Sequence, residues 1–391
     1  MEEVYITHAK RSAIGVFLGG LSTVAAPMLG AEIIKALVQE SNIPADAFNE
    51  VILGQVLTGG SGQNPARQSV INAGLTISLP ATTINKVCGS GLDAVALAAN
   101  AIRAGEADLI IAGGQENMSL AMHGAFMRSG AKFGDVKFTD LMMHDGLTDA
   151  FSGKMMGVTA ENIANKFDIS RDVQDALALR SQLKAVKAQK SGKFIDEIVP
   201  IEVRKKKEKI IIDQDEGIRG DSTIEGLSKL RTVFKDDGSV TAGNSSTIND
   251  GAACLIVASA SALKKYNLQP IARITSYATC GVDPELMGTG PVPASKKALE
   301  KAGWNVSDLD AIEANEAFAV QAEYVNRQMG WDADKVNING GAIALGHPIG
   351  ASGARVLVTL LHEMKRSKLQ KGLATLCIGG GMGVAMCVEG I

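Results

Sequence analysis

The chain has 391 residues, of which 46% are hydrophobic, 21% charged and only 4% aromatic. That length exceeds what one core usually supports and predicts two or three packed units, while the hydrophobic share excludes a disordered chain. A net charge of −3 gives no global positive field for nucleic acid or an anionic membrane, so any anionic ligand must be held locally. No apolar run approaches the roughly 20 residues that span a bilayer, and the opening "MEEVYITHAK" has acids where a leader carries bases. A cytoplasmic protein is expected, with neither a membrane nor a nucleic-acid partner.

Short β-rich runs alternate with helical ones from the start: "EVYITHA", a helix near 30–41, "VILGQVL", "ATTINKVC", a helix from Ser90, then "ADLIIAGG". This rhythm predicts a layered α/β unit. In the helix after Cys88, Leu92, Val95, Ala99 and Ile102 fall on one apolar stripe and mark a core helix. From about Ser119 to Thr247 the texture changes to Met, Gly and charge, with a long helix near 171–190 capped by Ser170. The basic run "RKKKEKIII" in this segment reads as a solvated hairpin. The α/β rhythm then returns: "AACLIVAS", "PIARITSYA", a helix near 294–302, "LDAIEAN", a helix from Glu316, "KVNING", a helix near 351–365, "GLATLCIGG" and "VAMCVE".

Residues 88–114 and 349–381 share one order: small residue, Ser-Gly, amphipathic helix, turn, strand, Gly-Gly. Duplication into two similarly folded halves follows, divided as 1–118, an insertion at 119–247, and 248–391. Ligands of such sheets bind at the carboxyl ends of strands.

The five cysteines, Cys88, Cys254, Cys280, Cys377 and Cys387, are odd in number and lack CxxC spacing. That argues against a disulfide framework and against a four-thiolate zinc site, and no metal is expected. Cys254, Cys280 and Cys387 read as small buried hydrophobes. Cys88, in "NKVCGSG", stands just before a helix N-terminus, where unpaired N–H groups lower a thiol pKa and suit a nucleophile. Cys377, in "LCIGGGMG", precedes glycines whose N–H groups can face an oxyanion. A nucleotide cradle fits less well, because Val384 breaks G-x-G-x-x-G and no P-loop motif occurs.

His347 sits in "GGAIALGHPIGASGAR", and the glycines of that stretch suggest that a substrate comes close to the backbone. The other histidines lack such a setting. Asn315, in "IEANEAFAVQ", reads as the N-cap of the helix after it, with orientation of a water or of the histidine as the alternative. Two thiols, an imidazole and an amide on Gly-rich turns exceed what a hydrolase needs. One thiol can carry an acyl group while the other moves a proton on carbon, which is Claisen chemistry beside a thioester.

The blocks "NKVCGSG", "NEAFA", "GHPIGASGAR" and "CIGGGMG" together closely resemble the thiolase family over essentially the whole chain. The resemblance implies a five-layer αβαβα α/β fold of two related halves with an inserted loop domain that contacts coenzyme A. It implies Cys88 as the acylated nucleophile, His347 as its activator, Cys377 as the acid/base and Asn315 as holder of an oxyanion-hole water. The N–H groups of Cys88 and Gly379 would form a second hole. Residues matched near coenzyme A are Arg219, Ser246, Met156, Met287 and Phe318. The implied reaction interconverts two acetyl-CoA with acetoacetyl-CoA and CoA, with CoA thioesters as substrates, no cofactor, and a homodimer or a homotetramer built as a dimer of dimers. Longer-chain 3-ketoacyl-CoA thiolysis is the alternative, and a non-catalytic CoA-binding protein a third. Two departures stand out: Met155-Met156 where His-Met is usual, and Gly226 where serine is common.

Overall fold

The computed structural model describes residues 2–205 and 208–391, so Lys206 and Lys207 of the basic run lie outside the described residues. The chain begins with β1 (Val4–Ser12), α1 (Ala26–Ser41), β2 (Glu50–Gly54), α2 (Pro65–Asn72), β3 (Ala81–Ile84), α3 (Ser90–Arg103) and β4 (Leu109–Asn117). A long excursion carries α4 (Met156–Lys166) and α5 (Arg171–Lys190), the latter starting after Ser170 as its composition suggests. Next come β5 (Asn249–Ser259), β6 (Ala272–Gly281), α6 (Pro291–Ala302), β7 (Ala311–Ala314), α7 (Ala319–Met329), α8 (Ile349–Ser367), β8 (Lys371–Ile378) and β9 (Met382–Gly390).

These strands hydrogen-bond in the order β7-β8-β9-β6-β1-β5-β4-β2-β3. Two copies of one pattern lie in that path. From β1 through β5 and β4 to β2 the pairings run antiparallel, antiparallel, parallel, and from β6 through β9 and β8 to β7 they do the same. The copies join edge to edge through Tyr5↔Arg273 and Ile6↔Ala272. In the second copy β8 reaches β9 through the turn Gly379–Gly381, whose last two residues have φ of +83°. In the first copy residues 118–248 occupy the equivalent place between β4 and β5. Strand β5, which the sequence rhythm assigns to the second half, is therefore the last strand of the first. Its partners on both sides are first-half strands, and an insertion in a turn does not change them.

Helices α3 and α8 pack together between the two copies, α1 and α2 cover the outer face of the first, and α6 and α7 that of the second. The period-2 alternation of the strands serves both faces. Ile110, Ala112, Ala253, Leu255 and Val257 join the central cluster, whereas Leu109, Ile111, Cys254 and Ile256 join the outer one under α1. In β8, Ala374, Leu376 and Ile378 face the central helices and Leu373 faces away. The result is the five-layer αβαβα stack. Leu92 and Leu357, from the two central helices, are both wholly buried, and truncating either to Ala costs about 2–5 kcal/mol.

Two local expectations change. "KVNING" forms no strand; Asn337 instead bonds both Ala314 N–H and Ala314 C=O at 2.9 Å through its side chain, doing the work of a ladder neighbour. The helix expected from Glu316 begins at Ala319 with Phe318 as its N-cap, so Asn315 caps nothing.

Candidate active site

The duplication places Cys88 two residues before α3 and His347 two residues before α8, so each central helix presents one reactive side chain at its N-terminus. Cys377 lies near the end of β8, at the same end of the sheet. The Cys88 turn is strained and pinned. Val87, β-branched, has φ of +47°, a region such residues avoid at a cost on the order of 1–3 kcal/mol. Ser90 Oγ offsets that strain by accepting Lys86 N–H (2.8 Å) and donating to Val87 C=O (2.7 Å), while Asn85 Oδ1 accepts Val87 N–H (2.9 Å).

His347 is held on three sides. Its backbone N–H donates to Asn249 Oδ1 (2.8 Å), its Nδ1 lies 2.6 Å from Ser352 Oγ, and its Nε2 lies 3.5 Å from Asn315 Nδ2. Ser352 has a single hydroxyl proton, and that proton goes to Pro348 C=O (2.9 Å). Its oxygen therefore accepts from Nδ1–H, which leaves the Nε2 lone pair toward Asn315. Burial, with Arg355 adding to it, lowers the imidazole to about 4, so the ring is neutral and able to accept a proton.

Burial pushes the Cys88 thiol up to about 11, against the opposing pull of the Gly379 and Cys88 N–H groups that bond its sulfur. The helix-terminus argument alone predicts a lowered value; desolvation outweighs it. Cys377 is 1% exposed, and its thiol is also raised, by burial first and then by the proximity of Cys88. The resting constellation is neutral, with N–H donors waiting for negative charge.

A cavity of about 490 Å³ connects these groups, lined among others by Cys88, His347, Cys377 and Gly379. Arg219, Ser246, Met156, Met287 and Phe318 line it as well. Asn315 lies behind His347 rather than on the wall, with its Oδ1 buried and unpartnered. Ser246 ties its loop to the "NEAFA" segment through N–H and Oγ bonds to Ala317 C=O (3.0 and 2.9 Å). Arg219 is exposed at the rim, its N–H donating to Gln182 Oε1 (2.8 Å). Met155 lines the cavity and is 39% exposed, whereas Gly226 sits outside it in a short helix, Ile224–Ser228. Around Cys88 the packing is apolar: Met118, Met143, Leu147, Ile248 and Ile349.

The glycines beside His347 serve the protein rather than a ligand. A Cβ on Gly346, whose φ is +112°, would lie 2.5 Å from Asn249 Cγ, and one on Gly350 would lie 2.7 Å from Glu116 Oε2. Neither glycine lines the cavity. Asn249, Ser352 and Phe234, the last of which lines the cavity with its ring edge-on to Phe318, are not singled out by the sequence. Ser352 has a detectable signal, because a serine four residues into a helix can bond back to the carbonyl of residue 348. Asn249 has none; it reaches His347 from a strand nearly a hundred residues away.

Among the described residues no cluster of three or more His, Cys, Asp or Glu is arranged to hold a metal ion, and no helix is long and apolar enough to cross a membrane.

Comparison with known proteins adds independent evidence. Residues 4–261 match the thiolase N-terminal domain and residues 268–390 the thiolase C-terminal domain. The acetyl-CoA acetyltransferase of Chromobacterium violaceum is 59% identical over 391 residues, covering 99% of each chain. That of Pseudomonas aeruginosa is 57% identical over 390 residues, again with 99% of each chain covered. The crystal structure of the Bacillus anthracis acetyl-CoA acetyltransferase superposes with a TM-score of 0.98 at 42% identity, covering 100% of this chain and 99% of that one. The boundary between the two matched domains falls after β5, where the strand pairing also ends the first half, and this chain belongs to the thiolase family.

Proposed function

We propose that the chain is an acetyl-CoA C-acetyltransferase, joining two acetyl-CoA into acetoacetyl-CoA and CoA and running the reverse. The observation that carries this reading is one cavity holding two thiols, a neutral imidazole and thiol-directed N–H donors. In the first half-reaction His347 Nε2 takes the Cys88 proton as the sulfur attacks the thioester carbonyl. The N–H groups of Cys88 and Gly379 receive the oxyanion. The C–S bond to CoA breaks, and Cys377 protonates the departing CoA sulfur, becoming the thiolate. In the second, that thiolate takes an α-proton from a further acetyl-CoA. The carbanion attacks acetyl-Cys88, and the Cys88 sulfur leaves and recovers its proton from His347. The orphaned Asn315 Oδ1 supports the water role, since it needs a donor; the water would face the enolate oxygen with His347.

CoA would lie along Arg219, Ser246, Met156, Met287 and Phe318, without a further cofactor or metal. The organisation in this reading is a first half interrupted at 119–247 and closed by β5, then a second half. A cytoplasmic homodimer or homotetramer fits. Support for a further interface comes from Phe126 and Phe133 in the inserted segment, both fully exposed apolar rings.

Thiolysis rates for acetoacetyl-CoA against a six- or eight-carbon 3-ketoacyl-CoA test the assignment. A preference for acetoacetyl-CoA is expected. A clear preference for the longer substrate would favour the β-oxidation reading, for which Met155 in place of His and the apolar wall around Cys88 leave adaptable space.

A further inference from the structure

A fully buried carboxylate that the chemistry above does not use, Glu116 at the end of β4, lies where the two reactive turns meet. It accepts backbone N–H groups from Val56 (2.9 Å) and Leu57 (3.2 Å), in the loop after β2, and from Gly350 (2.9 Å), in the first turn of α8. Helix α8 has 19 residues, and its N-cap, Pro348, offers no side-chain cap. The N-terminal N–H groups of such a helix need an acceptor, and an anion there also meets the positive end of the dipole. Glu116 supplies both from the other half of the molecule. The packing around it admits no side chain: a Cβ on Gly114 would meet Gly350 C=O at 2.1 Å, and one on Gly54 would meet Ser90 Cβ at 2.5 Å and Gly350 C=O at 2.9 Å. Thus β2, β4, the start of α3 that follows Cys88 and the start of α8 that follows His347 touch backbone to backbone at this carboxylate.

We propose that Glu116 is a positioning residue: it caps α8 in trans and so fixes the His347 turn against the Cys88 turn. The three hydrogen bonds and the closeness of the backbones around them carry this role. Burial raises Glu116 itself to about 7, opposed by its three N–H partners and reinforced by Asp250 on the neighbouring β5. Its hydrogen-bond partners are these three N–H groups, and Asp250 is the charge that acts on it from the neighbouring strand. The proposal rests on the reading of Cys88 as nucleophile and His347 as its base, but its amide-exchange readout needs no acyl transfer.

The test is amide hydrogen exchange of the peptide 349–352, measured by mass spectrometry, alongside kcat and KM for thiolysis. Glu116→Gln keeps shape but removes the charge and turns an NH2 toward N–H donors. At pH 8.5 the amides of 349–352 should exchange at least tenfold faster than in the wild type, while kcat falls at least tenfold with KM within twofold. Glu116→Asp retains the charge but withdraws it from Gly350, so exchange of 349–352 should quicken and kcat should fall there too. Wild-type exchange of 349–352 in both variants together with unchanged kcat would overturn the proposal. So would a drop in kcat matched by an equal rise in KM, which marks a merely structural role. If Glu116→Gln fails to fold, Glu116→Asp and the wild-type peptide 349–352 decide: its amide exchange, corrected for intrinsic rate, should slow between pH 6 and pH 8.5 as the cap ionises, and a constant rate would refute the cap. A protein that shows these shifts yet forms no acetyl-Cys88 would contradict the acyl-transfer reading and leave the positioning role standing.

Discussion

Ser352→Ala is the most revealing single change, because Ser352 touches no part of the cavity yet sets which nitrogen of His347 can take a proton. In the wild type the hydroxyl accepts Nδ1–H at 2.6 Å and donates to Pro348 C=O at 2.9 Å. Alanine leaves Nδ1–H buried without an acceptor, which costs about 1–3 kcal/mol. The ring escapes that cost by tautomerising, which places the proton on Nε2 and removes the base. Either route raises the barrier to Cys88 acylation by about 1–3 kcal/mol, or roughly 5- to 150-fold in rate. Alanine suits a helix better than serine does, so α8 itself should survive. Stopped-flow acylation by acetyl-CoA, with circular dichroism to show that the fold is intact, measures the effect. An acylation rate equal to wild type in a folded Ser352→Ala protein would refute the tautomer assignment.

Three further outcomes are expected. Cys377→Ala should still acylate Cys88 with acetyl-CoA but lose condensation by at least a hundredfold in a coupled assay, and retained condensation would remove Cys377 from its role. Gly346→Ala forces a side chain into φ of +112° and against Asn249. Strain of about 1–3 kcal/mol should lower the thermal midpoint, and displacement of the His347 turn should lower kcat; a variant with both unchanged would show that the turn tolerates a Cβ. His347 is held at about 4 by burial. A base whose folded pKa lies below its free value stays neutral until the pH falls through that lower value. The acid limb of kcat/KM from this group should therefore lie near pH 4 rather than at the ordinary 6.5 of a free imidazole. A limb at 6.5 would mean a solvated ring.

Much of the architecture was legible because periodicity in the chain mirrors periodicity in the fold. Leu92, Val95, Ala99 and Ile102 face the central layer as their spacing requires, and the echo between 88–114 and 349–381 corresponds to α3-β4 and α8-β8. The reactive turns were legible because Cys88 and His347 each precede a helix whose start the composition marks. What escaped was whatever depends on distance through space. Strand β5 looked like a beginning because it follows the insertion, and only its pairing with β4 and β1 shows it to be an end. The Cys88 thiol was expected low from its helix terminus, but the burial that raises it comes from residues scattered along the chain. The glycines near His347 advertise a close approach that the sequence assigns to a substrate, whereas Asn249 and Glu116 are what comes close to Gly346 and Gly350.

The central claim is that the Cys88 sulfur carries the acyl group. Peptide mapping of protein quenched in acid after brief incubation with acetyl-CoA tests it most directly. A single acetyl group on the peptide containing Cys88, removed on addition of free CoA, is the expected result. Acetylation confined to Cys377, or no thioester on either thiol, would contradict the account.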